Sequence, residues 1–380
     1  MKFVFVTAMP GFSWGGSEEL WSQGALKLHK DGHTVAASVP FWPTISPRVT
    51  EMVDKGIGVY IRRPIPENVI VRSWTKAARM LGNEAGKFRW LRLQKPDLVI
   101  ISQGGIADGM EWMKFCMDAD LPFVVICQCN TEFWWPTDEV AITLAEAYLT
   151  AKKVFCVSQS NLKLLEQQIG GKLPNAVIIR NPFNVSPDKL IQWPIETDTW
   201  RMACVARLDP VAKGQDLLFQ VLAQPRWRER AVQINLYGAG PFAQGLKRLA
   251  EYLQLKTVHF HGHVNDVAAI WAHNHMLVLP SRWEGLPLAL VEAMWCSRPA
   301  LVTNIAGNSE LCVDGETGFV AEAPTARILA QTMETAWERC SDWHTMGLAA
   351  RLRVEQIIPR DPAGDFARQL VACAGNESVP

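Results

Sequence analysis

The stretch Ser281-Arg-Trp-Glu-Gly-Leu-Pro-Leu-Ala-Leu-Val-Glu-Ala-Met294 decides how the rest of this chain is read. An apolar, strand-like run, Met276–Pro280, leads into it, and Gly285 breaks the chain. Pro287 stands where a helix would have its first residue, with its ring already fixing φ. Leu288 and Val291 then fall on one apolar side of that helix. Glu284 is thereby a loop carboxylate just ahead of a helix N-terminus, and Glu292 lies on the helix itself. The backbone N–H groups of Gly285, Leu286 and the turn at Pro287 open a helix end that attracts an anion, typically a phosphate. Two carboxylates flanking an anion site suit hydroxyl groups on either side of a diphosphate, because a carboxylate accepts strongly from a hydroxyl. The stretch reads as a clamp for a nucleotide sugar. The competing reading is an ordinary amphipathic helix with Glu292 as a solvated surface charge.

Upstream, Trp200–Ala206 reads as a strand that ends in Arg207-Leu-Asp-Pro-Val-Ala-Lys213-Gly214. A loop presenting Arg207 and Lys213 at a strand's carboxyl end can hold a diphosphate from two sides, Arg through two oxygens and Lys as a point charge. Val232–Tyr237 runs into Gly238-Ala-Gly240-Pro-Phe-Ala243, which satisfies GxGxxA after a strand. A nicotinamide site would carry that motif on its first strand with an acidic residue about 20 residues on. Here the region that far on is His259-Phe-His-Gly-His263, so an oxidoreductase is disfavoured. His259, His261 and His263 alternate and so share a strand face, yet no nearby Cys or Asp completes a metal site.

The motif Ser-x-x-Glu284-Gly-Leu-Pro-Leu-x-x-x-Glu292-Ala-Met resembles the defining motif of the family 4 retaining glycosyltransferases, glycosyl transferases group 1. Arg207-x5-Lys213-Gly214 is similar to that family's phosphate-binding loop, and the resemblance runs over nearly the whole chain. It implies an α/β protein of the GT-B fold, with two Rossmann-like domains facing each other across a cleft. Residues 1–185 would form an acceptor domain, 199–358 a nucleotide-sugar domain, and 359–380 a helix returning to the first domain. By the same resemblance Glu284 binds the donor sugar's hydroxyls and Glu292 the ribose. Arg207 and Lys213 stabilise the leaving diphosphate, Gly238 and Gly240 line the nucleotide, and Gly262, His263 and Val264 lie near the base. No metal or other cofactor is implied. Partners would be a nucleoside diphosphate sugar (UDP or GDP) and a carbohydrate or lipid-linked acceptor, in cell-surface polysaccharide or glycolipid synthesis. Two alternatives share the fold, a sugar epimerase and a nucleotide-sugar-binding protein without catalysis.

The first half opens on Lys2–Thr7, a buried-type strand, followed by Pro10-Gly-Phe-Ser-Trp-Gly-Gly-Ser17 and a helix from Glu18 to Lys30 with Ser17 as its N-cap. Gly15 and Gly16 match the family's paired glycines, which let backbone approach the donor diphosphate and the acceptor. Asp97–Ser102 and Leu121–Cys127 read as core strands, and Asp118-Ala119-Asp120 between them as a turn. After the second comes Gln128-Cys-Asn-Thr-Glu-Phe-Trp-Trp-Pro-Thr-Asp-Glu139. Ligands of such sheets bind beyond the strands' carboxyl ends. Asn130, Thr131 and Glu132 can bind hydroxyls there, while Trp134 and Trp135 either stack on a sugar or close the domain core. Many relatives have a histidine where Gln128 stands. An amide cannot carry a proton near neutral pH but can still hydrogen-bond a hydroxyl, so binding through Gln128 is retained and acid–base work is not. Ser297 stands where relatives usually have glycine.

With 380 residues, 48% apolar and 20% charged, the chain is long enough for two cores. Lys plus Arg and Asp plus Glu are equal at 38 each, which gives no argument for nucleic acid. The nine cysteines lack paired spacing and suit free thiols in a reducing cytoplasm. No apolar run reaches the length of a membrane span, and the N-terminus reads as a strand, not a signal peptide. Residues 72–95 are basic and aromatic-rich, which fits either a solvated helix face or peripheral contact with the inner face of a membrane.

Overall fold

In a computed structural model, residues 1–11, 13–63, 86–195 and 198–375 are described. The chain divides into two compact units. Unit 1 comprises Met1–Val157, Asn161–Pro182 and the C-terminal segment from Asp361; unit 2 comprises Ser158–Ser160 and Phe183–Arg360.

In unit 1 the elements are β1 (Lys2–Thr7), α1 (Gly16–Lys30), β2 (Thr34–Pro40), α2 (Pro47–Asp54), β3 (Gly58–Arg62), α3 (Gly86–Gln94), β4 (Leu98–Gln103) and α4 (Met110–Asp118). They continue with β5 (Phe123–Cys127), α5 (Asp138–Thr150), β6 (Lys153–Cys156), α6 (Gln159–Ile169) and β7 (Ala176–Ile178). The strands form one parallel sheet in the order β3-β2-β1-β4-β5-β6-β7. The runs Phe3–Val6, Leu98–Ile101 and Phe123–Cys127 are apolar without alternation because helices cover both faces of the sheet.

Unit 2 starts with β8 (Trp200–Val205), α7 (Pro210–Lys213), α8 (Gln215–Leu222), α9 (Pro225–Arg228), β9 (Val232–Tyr237), α10 (Ala243–Tyr252) and β10 (Val258–Gly262). It continues through α11 (Val267–His273), β11 (Met276–Leu279), α12 (Leu288–Trp295), β12 (Ala300–Thr303), α13 (Asn308–Leu311), β13 (Gly318–Ala321), α14 (Ala326–Glu338) and α15 (Trp343–Ile357). Its parallel sheet has the order β10-β9-β8-β11-β12-β13. Both units are therefore Rossmann-like, as a doubly wound α/β reading requires. The last helix, α16 (Pro362–Ala374), belongs to unit 1. Its Phe366 is fully buried, edge-on to Phe155 at 5.2 Å, and a Cβ on Gly24 of α1 would lie 2.7 Å from its ring.

Two helix starts differ from the sequence reading. Gly15, in extended backbone at φ −160°, is the N-cap of α1, and its carbonyl accepts from Glu18 N at 2.9 Å, so the helix begins a residue before Ser17. Pro287 is the N-cap of α12, not its first residue, because its ψ of 125° is extended. The stretch 183–195 is fastened to unit 2. Arg298, fully buried, donates to the carbonyls of Ile191 and Gln192, while Arg351 donates to that of Pro187. Burial holds the Arg298 guanidinium down to about 10, still cationic at neutral pH, and it is satisfied by carbonyl oxygens instead of a carboxylate.

Most of the basic stretch 72–95 lies outside the described residues. In the part that is described, Phe88 stacks on Phe115 at 4.5 Å, Trp90 on Tyr60 at 5.0 Å, and Leu91 is buried. These groups of α3 pack against the unit 1 core, while Leu93 on the same helix is exposed. No described helix is long and apolar enough to cross a membrane.

Candidate active site

The carboxyl ends of β8, β9 and β11 bring three separate loops of unit 2 together. The loop after β8 opens with Arg207, and Asp209 then caps α7, its side chain accepting from Ala212 N. Gly214 ends α7 at φ 66°, and any Cβ there would stand 1.9 Å from the carbonyl of Pro280. Only glycine allows α7 to abut the end of β11. Arg282 completes this seam. Its backbone N donates to Ala212 O at 2.8 Å, and its guanidinium engages both oxygens of Asp216 at 2.7 Å.

That seam places Lys213 against Glu284. Lys213 Nζ lies 2.6 Å from Glu284 Oε1, which also accepts from Ser281 Oγ at 2.8 Å. Glu284 is 6% exposed. Ser281 is itself held by Thr303 Oγ1, which donates to its carbonyl at 2.6 Å. Arg207 Nη2 pairs with Asp209 Oδ2 at 2.9 Å. Both cations proposed for a diphosphate are therefore already faced by carboxylates within unit 2. Gly285, Leu286 and Pro287 follow Glu284 directly into the N-terminus of α12, and Gly285 O accepts from Gly307 N at 3.1 Å.

Glu292 is buried, not a solvated charge. Its Oε1 accepts from both the backbone N (2.9 Å) and the side-chain Nδ2 (3.0 Å) of Asn184. Gly238 and Gly240 pack against the Arg207 loop. A Cβ on Gly238, at φ 140°, would come within 2.0 Å of Ala206 O, and one on Gly240 within 2.4 Å of Leu208 O. The loops are zipped by Ala206 N to Tyr237 O and Leu208 N to Ala239 O, both at 3.0 Å. This glycine pair positions the basic loop. His263 lies just past the end of β10, exposed, with Nε2 3.1 Å from Asn265 Oδ1, and Val264 beside it is half-buried. His259 and His261 are exposed too. No group of three potential ligands among the described residues is placed to hold a metal.

Unit 1 gathers the other candidates. Gln128 and Asn130 follow β5 and are buried. Gln128 Oε1 accepts from Asn181 Nδ2 at 2.8 Å and Asn130 Oδ1 from Thr131 N at 2.8 Å, leaving the Nε2 and Nδ2 groups without a protein acceptor. Buried amide donors of this kind normally find a partner, which marks them as ligand-facing candidates. Gly15 and Gly16 begin α1 beside a cavity of about 130 Å³, lined among others by Thr7, Trp14, Glu18, Phe41, Trp42 and Arg63. Glu18 accepts from Thr7 Oγ1 at 2.8 Å and Trp21 Nε1 at 2.8 Å. Burial lifts its carboxyl to about 7, outweighing those hydrogen bonds and the charge of Arg62. The sequence reading gives Glu18 no role beyond opening a helix, and none to Ser281, Asp209 or Asn184. A Glu directly after Gly-Gly-Ser was the one available signal for the first, and the others depend on tertiary contacts.

Residues 200–339 match the model of the family described as Glycosyl transferases group 1. An uncharacterized glycosyltransferase of Haemophilus influenzae is 28% identical over 341 residues, 85% of this chain and 86% of that protein. The D-rhamnosyltransferase WbpZ of Pseudomonas aeruginosa is 31% identical over 130 residues, 33% of this chain and 34% of that protein. Among solved structures, Anabaena Alr3699/HepE in complex with UDP and glucose aligns with a TM-score of 0.71 at 19% identity, over 99% of this chain and 100% of that one. A glycosyltransferase from Rickettsia africae aligns at 0.74 and 16% identity, over 98% of each chain.

Proposed function

We propose that this chain, a GT-B-fold glycosyltransferase of group 1, moves a sugar from a nucleoside diphosphate donor to a carbohydrate or lipid-linked acceptor with retention at the anomeric carbon. The observation that carries this reading is the Ser281–Glu284–Lys213 cluster set immediately before the N-terminus of α12. A diphosphate entering there displaces or shares the Lys213–Glu284 contact and takes up the Arg207 guanidinium and the first N–H groups of the helix. Glu284, freed on one oxygen, accepts from hydroxyls of the donor sugar. Glu292, positioned by Asn184 on Oε1, accepts from the ribose hydroxyls. The charge that grows on the leaving diphosphate is met by Arg207, Lys213 and the helix end, and no metal is required. The acceptor hydroxyl attacks on the face the phosphate leaves, and the phosphate takes its proton. Support for a nucleotide-sugar donor comes from relatives in complex with UDP and glucose and from a relative named a GDP-mannose-dependent mannosyltransferase.

Incubation with UDP- and GDP-sugars, followed by NMR of the anomeric proton in the product, tests the reading. Transfer or donor hydrolysis with retained configuration supports it. Release of free nucleotide with an altered sugar would instead mark an epimerase, and binding without turnover a non-catalytic module.

A further inference from the structure

Phe133, Trp134 and Trp135 are 71%, 40% and 59% exposed, although they are consecutive and large. The alternative that the tryptophan pair closes the unit 1 core is thereby excluded. Their backbone, however, is held from several sides. Gln168 of α6, only 2% exposed, donates from Nε2 to the carbonyls of Thr131 at 3.0 Å and Trp134 at 2.7 Å. Phe133 N donates to Thr131 Oγ1 at 3.2 Å, and Pro136 is buried. A buried amide thus fixes a loop that leaves the two indole rings substantially exposed. Presenting rigid aromatic faces in this way costs little further entropy when a ligand arrives.

Charge narrows the ligand. Residues 128–150 hold Glu132, Asp138, Glu139 and Glu146 and no Lys or Arg. The segment therefore supplies no cation of its own for anionic lipid, nucleic acid or phosphorylated or acidic glycans, each of which is bound through cations, although Lys163 and Lys172 lie on and just after α6. The electron-rich face of an indole attracts the C–H face of a pyranose ring, and carboxylates accept from its hydroxyls. We infer that the loop from Thr131 to Thr137 is a platform for a neutral oligosaccharide, holding acceptor residues beyond the one that reacts. This rests on the acceptor being a glycan, as proposed above.

The full chain and its Trp134→Ala/Trp135→Ala variant should be compared on an array of neutral and anionic glycans, with UDP and GDP thermal shifts run on both. The expected result is binding to neutral oligosaccharides, stronger for longer chains, that falls at least tenfold in the variant while the nucleotide shift is unchanged. Equal glycan binding by both proteins would overturn the platform, as would wild-type binding confined to anionic glycans. So would sedimentation of wild type alone with phosphatidylglycerol vesicles, or a dimer lost in the variant without any change in glycan binding. A missing nucleotide shift in the wild type would instead count against the proposed function.

Discussion

Lys213 Nζ and Glu284 Oε1 lie 2.6 Å apart although 71 residues separate them, and the contact exists because Gly214 lets α7 close on the end of β11. Glu284 is buried, and Lys213 keeps only a fifth of its side chain exposed. Removing one partner strands the other. Lys213→Met should destabilise the protein by about 2–3 kcal/mol, discounted from a fully buried pair for the remaining exposure. Adding Glu284→Gln to it should recover more than half of that loss. Urea denaturation of the single and double variants checks both figures.

In turnover the two residues should behave differently. Lys213→Ala should lower kcat roughly a hundredfold, the loss typical of removing one group that stabilises a leaving-group charge. Glu284→Gln should lose activity while keeping nucleotide affinity, because its role is assigned to the sugar. Steady-state kinetics beside nucleotide binding separates the two. Wild-type activity in Glu284→Gln would remove that assignment.

The Glu18 carboxyl gives a pH dependence of stability with a definite sign. Its value in the folded protein, about 7, is above its ordinary 4.5, so the folded state binds the proton more tightly. The corresponding stability is fully present below pH 4.5 and is lost as the pH rises through 7. The shift corresponds to about 3 kcal/mol. Glu18→Gln, which keeps an acceptor for Thr7 and Trp21, should match wild type at pH 4.5 and be more stable at pH 8. Denaturation at the two pH values measures it, and parallel curves would show that Glu18 titrates normally.

Ser297 is in the left-handed region at φ 58°, just after the end of α12, a backbone conformation that favours glycine. A side chain there costs about 1–2 kcal/mol, of which glycine's greater unfolded-state freedom gives back part. Ser297→Gly should therefore raise stability by about 1 kcal/mol. By contrast, Gly238→Ala drives a methyl into the carbonyl of Ala206 and should cost roughly 3 kcal/mol or more, with loss of nucleotide binding. Thermal denaturation distinguishes the opposite signs.

Much of the fold was legible because both sheets are parallel and doubly covered. Lys2–Thr7 is legible to the residue from its continuous apolar run, and Val232–Tyr237 from the alternation of Val, Ile and Leu with Gln and Asn. β3 was not, since Gly58–Arg62 mixes exposed and half-buried positions at a sheet edge and carries no such run. The basic loop and the Glu284–Glu292 stretch were readable as local motifs. What the motifs could not convey is that Arg207 and Lys213 already face Asp209 and Glu284, or that Asn184 reaches Glu292. Arg207–Asp209 is a local contact within one loop, whereas the Lys213–Glu284 pairing arises because β8 and β11 are neighbours in the sheet, which spacing along the chain does not encode. The Glu18 cavity was missed for the same reason, its walls coming from the loops after β1 and β2 and the end of β3.

The central claim is that a nucleoside diphosphate binds unit 2 between Arg207, Lys213 and the start of α12. Thermal denaturation with UDP, GDP and ADP, on wild type and on Lys213→Ala, tests it most directly. At about 100 times Kd one nucleotide should stabilise the wild type by roughly 2.7 kcal/mol, and the variant should need at least tenfold more of it for the same shift. An equal shift in both proteins at equal concentration, or none from any of the three nucleotides, would contradict the account.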